Sequence, residues 1–516
     1  MAERPNVLLI MTDEERYPPP YERTPLAEFR RTRLAARRML GQRGVELHRH
    51  YVGSTACVPS RATLFTGQYP SVHGVRNTDG LAKSASDPGM HWLDPNGVPT
   101  LGDWFRAAGY QTHYRGKWHV SHADLETPGT TDAFLTNTRD GDVIPDAVAA
   151  YEAADRLDPF GFSGWVGPEP HGPLPANTGV ARDGVFAEQV TELFAHLADE
   201  PDDAAPWLAV ASFVNPHDIA FSGMAWNALD FPPIPDWVPS IPQAPSQPDS
   251  LDERPRCQAQ FRDVWPQVLY PQPTDDDYRR LYHYLMALVD ESIARILTAL
   301  DEQGFTDDTI VMFTSDHGDL LGAHGGLQQK WHNAYDEAIH VPMVVAGPGI
   351  PTDAEGLRLP TSHVDVVPTL LGLVGADPAD LIGDIGAHHT DMHPLPGRDL
   401  SALLQGHAAV SAHSDPIYFM TEDQISRGLR REGLVTKEPF EPVGAPSSVE
   451  SVIVELEGVL WKLNHYYDAD GLSDVEDWEL HDLTSDPDER VNRMHQAGAP
   501  LARLTDLLDQ VRARSC

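Results

Sequence analysis

Short runs of consecutive apolar residues alternate with longer amphipathic segments through most of this chain. Such runs are typical of strands buried on both faces of a sheet, and they occupy residues 7–11, 207–214, 309–316 and 343–347. The amphipathic segments are typical of helices that cover such a sheet, and they occupy residues 26–43, 100–109, 181–199, 275–303 and 364–375. The alternation predicts an α/β fold, in which a large mixed and mostly parallel sheet is sandwiched by helices.

The pattern changes after about residue 410. Residues 416–420, 451–456 and 459–467 are typical of antiparallel strands, and Gly458 permits a tight turn between the last two. A terminal helix is expected over roughly residues 498–513. We therefore predict a main α/β domain over residues 1–410 and a smaller C-terminal α+β domain, with an antiparallel sheet, over residues 411–516.

Residues 219–273 interrupt the main domain. Periodicity is lost there, and seven prolines follow one another closely: Pro232, Pro233, Pro235, Pro239, Pro242, Pro245 and Pro248. Proline makes a segment stiff and irregular, and irregular segments of this length are usually functional or mobile. We predict an irregular insertion that either walls a pocket or is a surface loop without a role.

The composition narrows the class of partner. The chain has 516 residues and a formal net charge of −39, which argues against nucleic acid or an anionic membrane as a partner because both call for basic patches. Its three cysteines, Cys57, Cys257 and Cys516, cannot form a disulfide framework and lack metal-ligand spacing. No apolar run approaches bilayer length and no signal segment precedes the first strand. We expect a cytoplasmic protein without a membrane partner, and a homo-oligomer stays open.

Chemically active side chains follow several predicted strands at the point where each strand ends. The carboxyl ends of parallel strands meet at one edge of a sheet, where open α/β sheets place their ligands. Each residue alone has an ordinary explanation as a turn or a structural histidine, but together they favour one crevice. The segments are Asp13 with Glu14, the turn at Cys57, Lys117 to His119 at the end of an alternating strand that begins at Tyr110, His217, and Asp316 with His317.

A strand is expected over residues 46–52, and the segment around Cys57 that follows it predicts a turn and then a helix. Pro59 suits a first helical turn, where its missing N–H has no partner to lose. Cys57 would then lie at the helix N-terminus, where free N–H groups and the helix dipole favour an anion. Arg61, one turn later, can direct its guanidinium to the same point. Most buried cysteines are packing residues, so the turn alone leaves the chemistry open.

The sequence Cys-Val-Pro-Ser-Arg from Cys57 to Arg61, followed by Ala-Thr-Leu-Phe-Thr-Gly, resembles the signature of the type I sulfatases. This family of the alkaline-phosphatase superfamily includes a phosphonate monoester hydrolase branch. The resemblance extends from Asn6 to about Gly375, with weaker similarity in residues 397–400 and 479–487. It implies that a formylglycine-generating enzyme oxidises Cys57 to formylglycine, whose hydrate is the nucleophile. The implied activity is hydrolysis of a small anionic ester, an aryl or alkyl sulfate.

The resemblance also implies one divalent cation, held by Asp13, Glu14, Asp316, His317 and the modified Cys57. Two of these residues depart from the usual family pattern, because Glu14 stands where Asp or Gln is usual and His317 where Asn or Gln is frequent. His317 is similar to the residue of the phosphonate and phosphodiester hydrolase branch. Ca²⁺ is the expected cation, and an imidazole ligand makes Mn²⁺, Mg²⁺ or Zn²⁺ alternatives. The longer Glu14 side chain either binds differently or leaves its position to the next residue, Glu15.

The remaining implied roles concern the substrate. Lys117 and Lys330 would grip the sulfate group, and Arg61 would hold the hydroxyls of the formylglycine hydrate. His119 would contact the nucleophile or the ester oxygen, and His217 would protonate the leaving alcohol, an effect worth roughly 10²–10⁴-fold. The second hydroxyl of the hydrate would then collapse to the aldehyde and expel sulfate, a route that serine or thiolate lacks.

Other hypotheses stay open beside the sulfuric ester hydrolase. The first alternative keeps the nucleophile and changes the substrate to phosphonate monoesters or phosphodiesters. A metal-binding pseudoenzyme with unmodified Cys57 is another, and a zinc phosphatase of the same superfamily is a third, disfavoured by Arg61, Lys117 and Lys330 together. Near the same edge, Asn77, His73 and Arg76 are equally placed to face the pocket.

Overall fold

The computed structural model describes residues 4–130, 132–170, 172, 174–201, 203–352, 355–409, 415–471, 473–496, 498 and 500–515. Its strands are β1 (Asn6–Asp13), β2 (Gly44–Glu46), β3 (His50–Tyr51), β4 (Gln111–Gly116), β5 (Trp207–Pro216), β6 (Thr309–Ser315), β7 (His340–Val341), β8 (Met343–Ala346), β9 (Thr361–Ser362), β10 (Ile417–Thr421), β11 (Ser448–Leu456), β12 (Val459–Tyr467) and β13 (Asp477–Asp482).

Helices separate most of these strands. The α-helices are α1 (Pro20–Arg23), α2 (Ala27–Arg33), α3 (Ala35–Arg43), α4 (Cys57–Thr66), α5 (Pro70–His73), α6 (Leu101–Ala107), α7 (Pro145–Ala154), α8 (Gly179–Ala198), α9 (Met224–Ala228), α10 (Arg256–Val268), α11 (Asp276–Glu302), α12 (Ala323–Gly326), α13 (Asp336–Ile339), α14 (Val366–Leu373), α15 (Pro378–Ile385), α16 (Ser401–Leu404) and α17 (Leu501–Arg514). Short 3₁₀ helices occupy Asp158–Phe160, Pro175–Asn177, His217–Phe221, Thr306–Asp308 and His363–Asp365.

The central sheet has six strands in the order β2-β8-β6-β1-β5-β4. β6, β1, β5 and β4 run parallel, and β8 and β2 extend the sheet in antiparallel pairs. Alternate residues of β1 face opposite layers: Leu8 and Ile10 pack with α3, α8 and α11, whereas Val7, Leu9 and Met11 pack with α4, α6 and α14. Both faces of β1 are therefore buried, which explains its unbroken apolar run. The predicted mixed, mostly parallel sheet between helices is confirmed.

The C-terminal part forms a second sheet, in the order β10-β11-β12-β13 with every pair antiparallel. One face packs against Leu504, Leu508 and Val511 of α17. The other face packs against aromatic residues of the main body, among them Trp331 and Phe261. The predicted antiparallel sheet is thus present.

Two predicted elements divide in the structure. The helix predicted over 26–43 breaks at Leu34 into α2 and α3. The strand predicted over 46–52 becomes β2, at the edge of the central sheet, and β3, which pairs with β7 and β9 in a small separate sheet.

The prediction that residues 219–273 lack regular structure is wrong in part, because α9 and α10 lie there. The buried side of α10 consists of Cys257, Phe261, Trp265 and Val268, at intervals of four, four and three residues. This spacing is helical. The prolines are concentrated before the helix, and Pro266 falls inside its last turn, so proline content obscured the periodicity.

Strand β13 was not predicted, because only Trp478 and Leu480 of its six residues are apolar. Its inward residues include Glu479 and His481, both fully buried. Glu479 accepts hydrogen bonds from Tyr335 Oη at 2.7 Å and Tyr466 Oη at 2.6 Å. A buried polar group is stable when hydrogen bonds satisfy it, so burial and polarity coincide in this strand.

No single helix among the residues described is long and apolar enough to cross a bilayer. One bent pair, His363–Leu373 with Pro378–Ile385 at 103°, meets the criterion by length and composition alone.

Helix α6 provides a test of local stability. Its N-cap Thr100 accepts hydrogen bonds from Gly102 N and Asp103 N, and the Asp103 side chain accepts from Thr100 N, a complete capping box. We expect Thr100→Ala to lower the free energy of unfolding by about 1 kcal/mol, measured by urea denaturation. Thr100→Ser, which keeps the hydroxyl, serves as the control. Equal losses in the two variants would show that the cap does not contribute through its hydroxyl.

Candidate active site

The predicted crevice forms at the carboxyl edge of the four parallel strands. Asp13 ends β1, His217 follows β5, Asp316 follows β6 and Lys117 follows β4. At this edge Thr12 pairs with Ser315, and Asp13 pairs with Pro216 after a shift in register between Met11 and Asp13. Parallel neighbouring strands bring these side chains together although they are distant in sequence.

Cys57 is the first residue of α4 and enters this edge from above the sheet. Its Sγ lies 3.1 Å from His317 Nε2 and 3.7 Å from Asp13 Oδ1. Burial, and next the charge of Asp13, raise the pKa of the Cys57 thiol. The helix N-terminus therefore does not produce a thiolate here, and unmodified Cys57 is a weak nucleophile near neutral pH.

Two overlapping groups of donor atoms meet at Asp13. Ligand atoms of Asp13, Cys57, Asp316 and His317 lie within 4.8 Å of one another, and so do those of Asp13, Glu14 and His217. Glu14 is fully buried, and its carboxylate is directed into the site, where its Oε2 is paired with Lys330 Nζ at 3.0 Å. Carboxylate oxygens with an imidazole form a donor set that suits a divalent cation. The residues present therefore fit a metal site.

Arg61 holds this donor set together. It is fully buried, and its Nε donates to Asp316 Oδ2 at 2.7 Å while Nη2 donates to Asp13 Oδ2 at 3.0 Å. Its Nη1 donates to Lys117 O at 2.8 Å and to Ser212 Oγ at 2.9 Å. Burial alone would raise the pKa of Asp13, but Lys117, His217 and Arg61 hold it well below its usual value. The Asp13 carboxylate is therefore ionised.

Two buried ammonium groups face the same carboxylates. Lys117 Nζ lies 2.6 Å from Asp13 Oδ2, and Lys330 Nζ lies 3.0 Å from Glu14 Oε2. Burial opposes the charge of Lys330, but Glu14 raises its pKa above the usual value. Both lysines are charged and converge on the crevice from different segments.

His217 begins the 3₁₀ helix after β5 and is half-buried. Burial, and next the charge of Lys117, lower its pKa well below the usual value. Two aspartates hold the backbone around His217 in position. Asp183 accepts a hydrogen bond from Val214 N at 2.7 Å, and Asp218 accepts one from Val180 N at 2.8 Å. Sequence reasoning selected His217 but missed both aspartates, because their partners are backbone amides of distant elements.

His119 is paired with an acidic residue that sequence reasoning did not select. His119 Nε2 lies 2.9 Å from Asp79 Oδ1. The backbone before it is held by Glu169, which accepts from Trp118 N at 3.2 Å and His119 N at 2.7 Å. Burial, and next the charge of Asp124, raise the pKa of Glu169 to about 8. No sequence signal singled out Asp79 or Glu169, since neither follows a predicted strand.

The alternative that Glu15 replaces Glu14 is wrong. The Glu15 carboxylate is directed to α3, where its Oε1 accepts from Arg37 Nε at 2.7 Å. Glu14 follows the end of β1 and adopts a positive φ of 72°, outside the extended region, so the chain turns there. The two neighbouring carboxylates consequently serve different sites.

The three residues considered near the edge have structural partners. His73 Nε2 lies 3.1 Å from Thr63 Oγ1, and Arg76 Nη1 lies 2.9 Å from Glu422 Oε2. Asn77 Oδ1 accepts from Gln424 N at 3.1 Å. Arg76 and Asn77 thus join the loop after α5 to the segment that follows β10.

The sulfatase family model matches residues 5–376, which contain the whole donor set. The chain belongs to the sulfatase family. The expected resemblance and the expected enzyme class are confirmed.

Individual relatives agree with this assignment. The sulfatase is 29% identical over 387 residues to a choline-sulfatase of Rhizobium meliloti (strain 1021), covering 72% of this chain and 68% of that protein. It is 25% identical over 517 residues to a Delta 4,5-hexuronate-2-O-sulfatase of Bacteroides thetaiotaomicron, covering 95% and 84%. The phosphonate monoester hydrolase of Agrobacterium radiobacter superposes with a TM-score of 0.61 at 23% identity, covering 99% and 96%. That structural likeness shows a shared fold.

The carboxylates of Asp13 and Glu15 provide a test of the metal site. We expect Asp13→Asn to abolish tight binding of a divalent cation, because Asp13 belongs to both donor groups. Glu15→Gln should bind the cation as the parent does, because its carboxylate pairs with Arg37. Metal content after equilibration with Ca²⁺ or Mn²⁺ would be measured by elemental mass spectrometry, with thermal melts to verify folding. Equal cation binding by Asp13→Asn and the parent would contradict the assignment.

Proposed function

We propose that this sulfatase hydrolyses aryl or alkyl sulfate esters with a nucleophile derived from Cys57. The observation that carries the proposal is the position of Cys57 Sγ, within 4.8 Å of donor atoms of Asp13, Asp316 and His317. A residue at this point would be next to a cation held by these donors, and it is next to the basic groups that suit an anion. A packing cysteine does not require such neighbours.

Conversion of Cys57 to formylglycine supplies a hydrated aldehyde, of which one hydroxyl attacks sulfur and the other lets sulfate depart as the aldehyde reforms. This modification, introduced by a formylglycine-generating enzyme, overcomes the weakness of the buried thiol. A divalent cation supplies positive charge that favours ionisation of the attacking hydroxyl and neutralises the ester oxygens. Asp13, Glu14, Asp316 and His317 are the residues that would hold it. Ca²⁺ is the cation proposed, with Mn²⁺, Mg²⁺ and Zn²⁺ as alternatives.

The basic residues of the site suit a tetrahedral anion. Lys117 and Lys330 each face a single carboxylate, and each ammonium group has three donors. A sulfate ester entering between them can therefore accept hydrogen bonds from both lysines. Arg61 stays on Asp13 and Asp316 and keeps them in place. Such preorganised charge is usually the largest contribution to transition-state stabilisation.

His217 is the group proposed to protonate the leaving alcohol. It lies at the rim, half-buried, whereas His317 is fully buried beside Cys57 Sγ. Burial, and next the charge of Lys117, lower the pKa of His217 in the free protein, and a bound anionic ester opposes the effect of that charge. An alkoxide leaving group is a strong base and depends strongly on such a proton, but an activated phenolate is a weak base and does not.

A second candidate substrate is a phosphonate monoester or a phosphodiester. The observation that favours it is His317, whose imidazole lies 3.1 Å from Cys57 Sγ at a position where the resemblance relates histidine to the phosphonate hydrolase branch. The cation, the lysines and the nucleophile would act on phosphorus in the same way. The two candidate functions differ only in the ester that is hydrolysed, so assays of matched sulfate and phosphonate esters decide between them.

The nucleophile is tested by Cys57→Ala, which should lose all measurable turnover while retaining the parent's melting temperature within a few degrees. The intact mass of the peptide containing Cys57, from protein matured in its own host, should show the aldehyde. Cys257→Ala is the matched control, since Cys257 is buried in α10 away from the donor set. Turnover within a few-fold of the parent in Cys57→Ala would contradict the proposal.

The proton donor is tested by His217→Ala with two sulfate esters of different leaving group. We expect a loss of roughly 10²–10⁴-fold with an alkyl sulfate and a much smaller loss with 4-nitrophenyl sulfate. Equal losses on both esters would exclude His217 as the general acid.

Substrate class is tested by assaying matched 4-nitrophenyl sulfate and 4-nitrophenyl phenylphosphonate side by side. A higher kcat/KM for the sulfate supports the main proposal. A higher value for the phosphonate supports the second candidate and overturns the first.

A further inference from the structure

The segment after β10, in the C-terminal part of the chain, reaches the active site from outside the central sheet. Met420 N donates to Gly53 O at 3.1 Å, and Thr421 Oγ1 donates to Thr55 O at 2.5 Å. Asp423 follows two residues later and is 3% exposed. The end of β10 thus lies along the backbone that leads into α4 and Cys57.

The Asp423 carboxylate accepts hydrogen bonds from three separate segments. Its Oδ2 accepts from the indole Nε1 of Trp331 at 3.0 Å and, at a longer 3.5 Å, from Ala56 N. Its Oδ1 accepts from Thr78 N at 3.1 Å. One buried carboxylate therefore joins three loops that have no strand pairing with one another.

Each of these donors is next to a residue of the candidate site. Ala56 precedes Cys57, Trp331 follows Lys330, and Thr78 precedes Asp79, the partner of His119. A shift of the backbone at Ala56 or Thr78, or of the Trp331 indole, therefore moves a neighbouring residue of the candidate site.

The hydrogen bonds to Asp423 explain why a carboxylate is buried at this position. Burying a carboxylate is costly unless hydrogen bonds compensate, and an ionised acceptor forms stronger bonds than a neutral one. Lys83 lies near it, also buried, with its Nζ donating to Gln424 O. An apolar residue would fill the same volume but would leave three N–H donors without an acceptor. The Asp423 carboxylate therefore serves to hold these three N–H donors in place, and not merely to fill the space.

We propose that Asp423 is a positioning residue that sets Cys57, Lys330 and the Asp79–His119 pair relative to one another. The expected effect of Asp423 on kinetics rests on the proposed function, whereas the hydrogen bonds that Asp423 accepts are independent of it. Asp423 itself touches neither the donor set nor the substrate position. It acts through Ala56, Trp331 and Thr78.

The first test is Asp423→Asn, which keeps the size of the side chain. The amide nitrogen cannot accept a hydrogen bond, so the variant loses either the Thr78 contact or the contacts with Trp331 and Ala56. Displacement of about 1 Å in an active site can lower rates by about 100-fold, and we expect kcat/KM to fall by roughly 10–100-fold. The control is Asp470→Asn, which removes an exposed carboxylate of the same region, paired with Arg427 at 2.9 Å, and should change kcat/KM less than two-fold.

The second test compares the Asp423 contact with Trp331 and the neighbouring contact of Thr421 with Thr55 by their kinetic signatures. Trp331→Phe removes the indole N–H but keeps a ring to stack near Trp265, so only the segment that carries Lys330 is released; KM should rise with kcat nearly unchanged. Thr421→Val removes the hydroxyl that holds Thr55 O, so only the segment that leads into Cys57 is released; kcat should fall with KM nearly unchanged. A purely structural role would lower the melting temperature without this division.

The third measurement needs no substrate. Hydrogen exchange of either the Thr78 or the Ala56 amide should be faster in Asp423→Asn than in the parent and in Asp470→Asn, since the variant keeps one of the two acceptor oxygens. Unchanged exchange at both amides, or values of kcat and KM that match the control in all three variants, would overturn the proposal. If Asp423→Asn does not fold, the Trp331→Phe and Thr421→Val pair decides. If the parent hydrolyses no ester, the proposed function fails and amide exchange alone decides the role of Asp423.

Discussion

The guanidinium of Arg61 lies fully buried between the carboxylates of Asp13 and Asp316, and it also bonds to the backbone of Lys117. It thereby joins α4 to the ends of β1, β6 and β4. Removing one partner of a buried ion pair typically costs about 3–5 kcal/mol, because the other charge is left uncompensated. The same carboxylates are the donors that suit a cation. Folding of this edge and order in the site consequently depend on the same charges.

This arrangement reconciles an acidic protein with an anionic substrate. The chain carries a net charge of −39, which repels an anion at long range. Arg61, Lys117 and Lys330 are nevertheless almost fully buried at one point of the sheet edge. In an environment of low dielectric constant their charges act more strongly than exposed charges would. The local concentration of three basic groups, and not the overall charge, determines what the crevice can bind.

The C-terminal sheet takes part in the site through its polar contacts. Its inner face packs on the main body, and buried groups such as Glu479 bond to Tyr335 across that boundary. Asp423 extends the same boundary to the loops around Cys57 and Lys330. Hydrogen-bonded contacts of this kind define orientation, whereas apolar contacts alone tolerate some sliding. The second sheet therefore belongs to the architecture of the crevice.

Local pattern in the sequence was sufficient for most elements of the fold and for the main members of the site. Apolar runs identified the central strands, the strand-end rule brought together Asp13, Lys117, His217 and Asp316, and the segment at Cys57 indicated the family. The tertiary structure alone decided that Glu14 and Glu15 face different partners, that α10 forms among prolines, that β13 is a buried polar strand, and that Asp79 and Asp423 support the site. These features depend on side-chain directions and on hydrogen bonds between segments hundreds of residues apart. Periodicity reports only which face of an element is buried, and it carries no information about which distant group will satisfy a buried polar atom.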